Sequence, residues 1–270
     1  MRAHEFEQLP RQLNIFTAVD LDRTVLRTTE FFEHYAIPNM RHYYWSRGEV
    51  GLVDRAIDQT RVAEHASRGK AFDFVGDFDQ RLRTLGHEDM DIDELARQIL
   101  DANRDLETGE LLDDFITDII ADGGFELIQT LEAEPASAWG FMTSGGDLTQ
   151  RLKLSIVATI LRERFAIDVQ GLIIASEHKA QDLESWYDES RQQFVIPTEL
   201  SGGTTMYADE LRLIDDKLKN LERGDAVRLH DRIELIQARR AEYETESEGE
   251  YLAAIAATIS TRAIDNDMSA

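Results

Sequence analysis

The sequence contains no cysteine. Disulfides, thiolate nucleophiles and cysteine-ligated zinc are therefore excluded. No apolar run approaches the ~20 residues that a membrane helix needs. The first residues, "MRAHEFEQLPRQ", lack the charged-then-apolar pattern of a signal peptide, so a cytoplasmic protein is expected. No internal repeat or Gly/Ser-rich linker is evident. Lysine is scarce, occurring only at Lys70, Lys153, Lys179, Lys217 and Lys219. Positive charge is outnumbered overall: 29 Lys plus Arg stand against 53 Asp plus Glu, for a formal net charge of −24. Such a surface repels nucleic acid and anionic membranes, so neither is an expected partner. It keeps a protein soluble by self-repulsion, and it also suits a high-salt cytoplasm.

What is present can build a core. The 270 residues are 42% hydrophobic and 8% aromatic, which argues against general disorder and allows one large domain or two modest ones. "NIFTAV" (14–19) reads as a short buried strand that runs into the polar turn "DLDRTVLRTTE". From about 29 to about 119 the pattern is helical, with "DELARQILDANRDL" and "GELLDDFITDIIA" carrying apolar residues at helical spacing and "FDFVGDFDQRLRTLGHEDMDID" reading as a short helix between loops. Beyond it the pattern alternates. "FELIQTLEAE" reads as helix, "AWGFMT" (138–143) as a second strand, and "LTQRLKLSIVATILRERF" as an amphipathic helix following "SGGD". "GLIIAS" (171–176) is a third strand and "WYDESRQQFVIP" a loop or small hairpin. "ELRLIDD" (210–216) is a fourth strand, followed by helix-like "KLKNLERG" and a peripheral strand at "AVRLH". "YETESEGE" and "YLAAIAATIS" form a helical tail packed on the outside.

Short strands alternating with helices imply an α/β fold, a parallel sheet with helices on both faces. A helical block of about ninety residues is too long for a crossover. It reads as an inserted helical domain over 29–119, interrupting a core made of 1–28 and 120–270.

Ligands of open α/β sheets bind beyond the carboxyl ends of the strands. Those ends carry Asp20 and Asp22, then Thr143 and Ser144 before Gly145 and Gly146, then Lys179, then Asp215 and Asp216. Several carboxylates at one sheet edge repel each other without a cation, and an all-oxygen set suits Mg²⁺. A hydroxyl, the N–H groups of a glycine-rich loop and one lysine can hold an anion. A phosphate beside Mg²⁺ fits both halves. Each piece alone has a plainer reading: "DLDRT" as an Asx turn or helix cap, "TSGG" as a turn, "DDK" as an acidic helix start. The ordered set is what points to a site.

In this set the sequence resembles the haloacid dehalogenase-like (HAD) superfamily. The resemblance runs from about residue 14 to 225 through Asp20-Leu21-Asp22-Arg23-Thr24, "GFMTSGG" with Thr143, a lysine, and "LRLIDDKLKNL". It implies a Rossmann-like core with an inserted helical cap, and a Mg²⁺-dependent phosphohydrolase acting on a small-molecule phosphate monoester. By the same resemblance Asp20 is the nucleophile that forms an aspartyl-phosphate, and Asp22 protonates the leaving oxygen and then activates water. Asp20, the backbone carbonyl of Asp22, and Asp216 hold the metal. Thr143 and Lys179 bind the phosphoryl group, with Ser144 beside them, more a loop residue than a contact. Asp215, Asn220 and Thr24 support these groups from behind. Lys179 is favoured over Lys153, which lies deep in its helix and is expected to point away from the strand ends. It is also favoured over Lys217, which simply neutralises the acidic pair. Within the cap, Phe31, His34, Arg41, His42, Tyr43, Tyr44, Trp45 and Arg47 either read the leaving group across a cleft or are cap core and surface. Dehalogenation is disfavoured, because a leaving halide needs no proton from Asp22. A phosphomutase or other phosphotransferase uses the same residues, and a noncatalytic interaction protein of this fold is the alternative from another class. Neither the substrate nor the oligomeric state is readable.

Overall fold

The computed structural model describes residues 10–45, 50–67, 72–169, 171–176, 178–221, 231–239 and 249–267. Strand β1, Arg11–Val19, has Phe16, Ala18 and Val19 fully buried, as expected of a strand covered on both faces. After a turn the chain becomes helical: α1 (Thr28–Glu30), a π-helical stretch (Phe31–Ala36), α2 (Ile37–Trp45), α3 (Val50–Ala66), α4 (Phe74–Thr84), α5 (Ile92–Ala102) and α6 (Asp113–Ile119). Then follow α7 (Gly124–Ala133), β2 (Ser137–Thr143), α8 (Asp147–Phe165), β3 (Leu172–Ile174), α9 (Lys179–Ser185), β4 (Tyr187–Asp188) and β5 (Gln193–Ile196). The chain closes with β6 (Met206–Asp215), α10 (Leu218–Leu221), β7 (Ile233–Gln237) and α11 (Leu252–Asp267).

The sheet runs β3-β2-β1-β6-β5-β4, with β7 also on β6. β1 pairs in parallel with β2 and β6, β2 with β3, and β6 with β7. The α/β class and its parallel centre are as the sequence implies. The exception is "WYDESRQQFVIP", which forms an antiparallel β4–β5 hairpin added to the first half of β6. β7 takes the second half of β6, from Leu211 to Asp215. The register matters for the site. Val19 stands opposite Ile214, so the next step of each strand brings Asp20 beside Asp215, and the Asp20 N–H continues the ladder to Ile214 O at 2.8 Å.

The helical block from 28 to 119 lies over α8. Buried Phe31, Met40, Tyr44, Phe78, Leu95 and Ile99 belong to one apolar cluster with Leu152 and Ile156 of α8. In α5 the buried Leu95, Ala96, Ile99 and Leu100 recur at helical spacing, and Asp91 caps its start by accepting from Asp93 N and Glu94 N, worth about 1 kcal/mol. Asp73 does this twice over. It accepts from Gly76 N at the start of α4, at 3.0 Å, and from both N and Oγ1 of Thr149 in the first turn of α8, at 3.1 and 2.7 Å. Thr149 Oγ1 in turn accepts from Val75 N at 2.9 Å. Gly146 makes this approach possible: a Cβ there would lie 1.8 Å from Asp73 Cβ. The tail helix α11 packs on α7 through buried Ile255 and Ile259. The expected strand at "AVRLH" lies outside the described residues, and the peripheral strand among them is "IELIQ". No helix among the described residues is long and apolar enough to cross a membrane.

Candidate active site at the carboxyl ends of the strands

The turn after β1 closes on itself. Arg23 N–H donates to Leu26 O and Leu26 N–H to Leu21 O, both at 2.9 Å, and Arg23 takes a left-handed φ of 64° to do so. A non-glycine residue pays for such a conformation in strain, which the surrounding hydrogen bonds must over-determine. The result fixes Asp20 and Asp22 in different pockets.

Asp20 is buried under the strand ends. Thr24 Oγ1 donates to its Oδ2 at 3.1 Å, and Lys179 Nζ to its Oδ1. Lys179, at 0% exposure, also donates to Asp215 Oδ2 at 2.6 Å. Asp215 further accepts both oxygens' worth of contact from Asn220 Nδ2, at 3.0 Å each, and the Lys217 N–H at 2.8 Å. Carboxylate oxygens of Asp20, Asp215 and Asp216 lie within 4.8 Å of one another. Burial pushes the Asp20 carboxyl well above the usual carboxylate range; Lys179 draws it down, and Asp215, Asp216 and Asp22 push it up again. Burial lowers Lys179, but Asp20 and Asp215 outweigh it and hold the ammonium charged. One ammonium against three buried carboxylates leaves the cluster short of positive charge. Hard oxygen donors with that deficit suit Mg²⁺. Asp20, Asp215 and Asp216 each bring a carboxylate oxygen to this spot, and Lys179 engages both Asp20 and Asp215, the latter also held by Asn220.

Asp22 has its own lysine. Lys153 Nζ is 2.5 Å from Oδ1, Thr28 Oγ1 is 2.9 Å from the same oxygen, and Gln150 Nε2 and Thr143 Oγ1 reach Oδ2 at 2.7 and 3.3 Å. Burial alone would raise this carboxyl; the Lys153 charge, with hydrogen bonds from Lys153, Gln150 and Thr28, lowers it to about 2. The expectation that Lys153 points away from the strand ends is wrong. α8 begins directly above the end of β2, and helical side chains slant toward the helix N-terminus. Lys153, one turn beyond Gln150 and Thr149, therefore reaches back over the strand ends along that face. Gln150, Lys153 and Thr28 are the site groups that the sequence reading missed. The signal was there in α8, where polar Thr149, Gln150 and Lys153 make a stripe beside the apolar Leu152, Ile156 and Ile160.

Of the other expected residues, Thr143 meets Asp22, Ser144 offers its carbonyl to Gln150 Nε2 at 3.4 Å, and Asn220 and Thr24 sit on Asp215 and Asp20. Lys217 does not reach the acidic pair with an ion pair; only its backbone N–H touches Asp215. Above lies a cleft of about 710 Å³ between the strand ends and the helical block. Phe31, His34, Arg41, His42, Tyr43, Tyr44 and Trp45 are absent from its lining. Phe31, Tyr43 and Tyr44 are core, His34 pairs with Asp118 at 2.7 Å and Arg41 with Asp54 at 2.8 Å. Arg47 is outside the described residues. The helical side of the cleft comes instead from Phe32, Glu33, Arg61, Glu64, Phe72 and Phe74.

No protein-family profile matches the chain, and no curated protein does. Solved structures do resemble it in the course of the backbone. One, from Burkholderia xenovorans LB400, is described as a haloacid dehalogenase-like hydrolase; it is 14% identical, with a TM-score of 0.49 over 90% of this chain and 98% of that one. Another, from Xanthomonas campestris, is described as a haloacid dehalogenase-like family hydrolase; it is 13% identical, with a TM-score of 0.39 over 98% of this chain and 97% of that one.

Proposed function

We propose that the protein is a Mg²⁺-dependent phosphohydrolase of the HAD type, with the helical block as its cap, cleaving a small-molecule phosphate monoester. The observation that carries this reading is the pair of aspartates two residues apart, each held by a separate buried lysine. Asp20 belongs to a carboxylate cluster short of positive charge; Asp22 belongs to a neutral pair with Lys153. One is arranged to attack beside a cation and the other to handle a proton.

Asp20 attacks phosphorus through a carboxylate oxygen, the bond to the leaving oxygen breaks, and an aspartyl-phosphate forms. The proton for the leaving oxygen comes through the Asp22–Lys153 pair, and Asp22 then takes a proton from the water that attacks the acyl-phosphate. Lys179 and Thr143 hold the phosphoryl oxygens, and Asp215 with Asn220 keeps Lys179 in place. Bound at Asp20, Asp216 and the Asp22 carbonyl, Mg²⁺ supplies the neutralising charge that lets one anion approach another. The test is hydrolysis of a generic aryl phosphate with and without Mg²⁺, with Asp20→Asn alongside. Release of inorganic phosphate that needs Mg²⁺ and falls by about 10⁴-fold or more in Asp20→Asn is expected. Equal activity in that variant, or inactivity of the wild type across a broad phosphoester panel, overturns the reading.

A further inference from the structure

Of the five lysines, at positions 70, 153, 179, 217 and 219, four are among the described residues, and all four stand in one place. Lys179 is under the strand ends against Asp20 and Asp215, and Lys153 is against Asp22. Lys217 and Lys219 line the cleft above them. Away from the site the cations are arginines, many in surface pairs such as Arg97 with Glu94 and Asp101, or Arg104 with Glu163.

The lining of the cleft is richer in cations than the chain around it. It has Arg23, Arg61, Lys153, Lys217 and Lys219 against Asp22, Glu33 and Glu64, where the whole chain carries −24; Arg23 and Lys219 have partners of their own. Lys153–Asp22 and Arg61–Glu33 are ion pairs within it, at 2.5 and 2.6 Å. Lys217 is half-buried and rooted at the strand end by its N–H bond to Asp215, yet among the described residues its ammonium has no hydrogen-bond or ion-pair partner. Lys219 is the basic residue of short α10, two positions on. Facing the core side of the cleft, Phe32, Phe72 and Phe74 supply an apolar wall.

In the phosphohydrolase reading, on which this inference rests, the reacting phosphoryl group already has Thr143, Lys179 and a cation at Asp20 and Asp216. Lys217 and Lys219 are additional to that set. We infer that the leaving group of the substrate carries a second anionic group, a carboxylate or a second phosphate, that Lys217 and Lys219 bind while its apolar stem lies against the phenylalanine wall. Lysine heads suit an anion approached from several directions, and an apolar wall on one side strengthens such a contact by excluding water.

The experiment compares kcat/KM in Mg²⁺ for benzyl phosphate, its 4-carboxy derivative and its 4-phosphonomethyl derivative. The remote substituent adds an anion while leaving the reacting ester nearly unchanged. Wild type should prefer at least one anionic ester by about tenfold or more, and the better of the two names the second group. In the double variant Lys217→Met, Lys219→Met that preference should fall by about tenfold, and Lys217→Arg, Lys219→Arg should keep most of it. A preference is a ratio within one sample, so partial misfolding lowers both rates and cancels. Equal rates on all three esters in wild type, or an unchanged preference in the Met variant, overturns the inference and leaves the phosphohydrolase reading standing. Hydrolysis of none of the three by a wild type that does release phosphate from other esters of the broad panel overturns the inference alone, and inactivity across that panel removes both.

Discussion

Asp20 and Asp22 are separated by one residue and sit in opposite surroundings. Around Asp20, three carboxylates share one ammonium, and the carboxyl is pushed upward. Around Asp22, one carboxylate collects donors from Lys153, Gln150, Thr28 and Thr143, and the carboxyl is drawn down to about 2. Strand alternation alone would put residues two apart on the same face; the turn that follows Val19, closed around a left-handed Arg23, is what parts these neighbouring aspartates into two pockets. The difference teaches that charge imbalance, not burial, separates a cation-seeking carboxylate from one that is complete without a cation.

The comparison can be broken at each pocket. Asp22→Asn keeps the shape of its pocket and removes its proton chemistry. In the proposed mechanism kcat should fall by about 10³-fold, less than for Asp20→Asn, and pre-steady-state kinetics on an activated ester should still show phosphorylation of Asp20. Lys179→Met leaves Asp20, Asp215 and Asp216 with no ammonium. It should lose about 4 kcal/mol of stability without divalent cations, and Mg²⁺ should raise its Tm more than that of wild type. An equal rise in both proteins would mean that the acidic cluster does not bind the ion.

Lys153→Met tests the balanced pocket by pH. Because Asp22 is depressed from 3.8 to about 2, its contribution is fully present above the unfolded value and disappears as pH falls through the folded one. The variant should be less stable than wild type by about 2 kcal/mol at neutral pH, and denaturation midpoints should converge between about pH 4 and pH 2. A gap that does not narrow in acid would assign the loss to packing of the lysine stem. At the far end of the scale is an exposed pair with no catalytic neighbours. Asp118 hydrogen-bonds to His34 and raises its pKa, so the pair helps below about pH 6.5 and fades as pH rises. Solvent screening should keep His34→Ala within about 0.5 kcal/mol of wild type by thermal unfolding at pH 6.

The strands that bear the site were legible because each is a short apolar run that stops at a polar residue of unusual type. Asp20, Thr143 and Asp215 could be placed at one edge from that pattern alone. The role of Lys153 was not, since it depends on how α8 is rotated over β2, and a one-dimensional pattern shows which residues share a face but not what that face meets. The cleft wall was left open between two readings, leaving-group contact or cap core and surface, for a different reason. In "FFEHYAIPNMRHYYW" the aromatic Phe31, Tyr43 and Tyr44 are core, while Phe32 of the same stretch turns to the cleft and meets Arg61, Phe72 and Phe74 from further along the chain, a grouping with no local signature. The antiparallel hairpin was open in the sequence reading and was decided by the length of β6, which offers one edge to two partners in turn.

Gly146 gives that geometry a further meaning. Asp73 leans on it from the helical block, with no room for even one carbon more, and from there grips the first turn of α8. Gln150 and Lys153 ride on the same two turns. The distance between the two layers, and through it the aim of the groups around Asp22, is thus gauged by a missing methyl group: a spacer of zero thickness, which no other amino acid can supply.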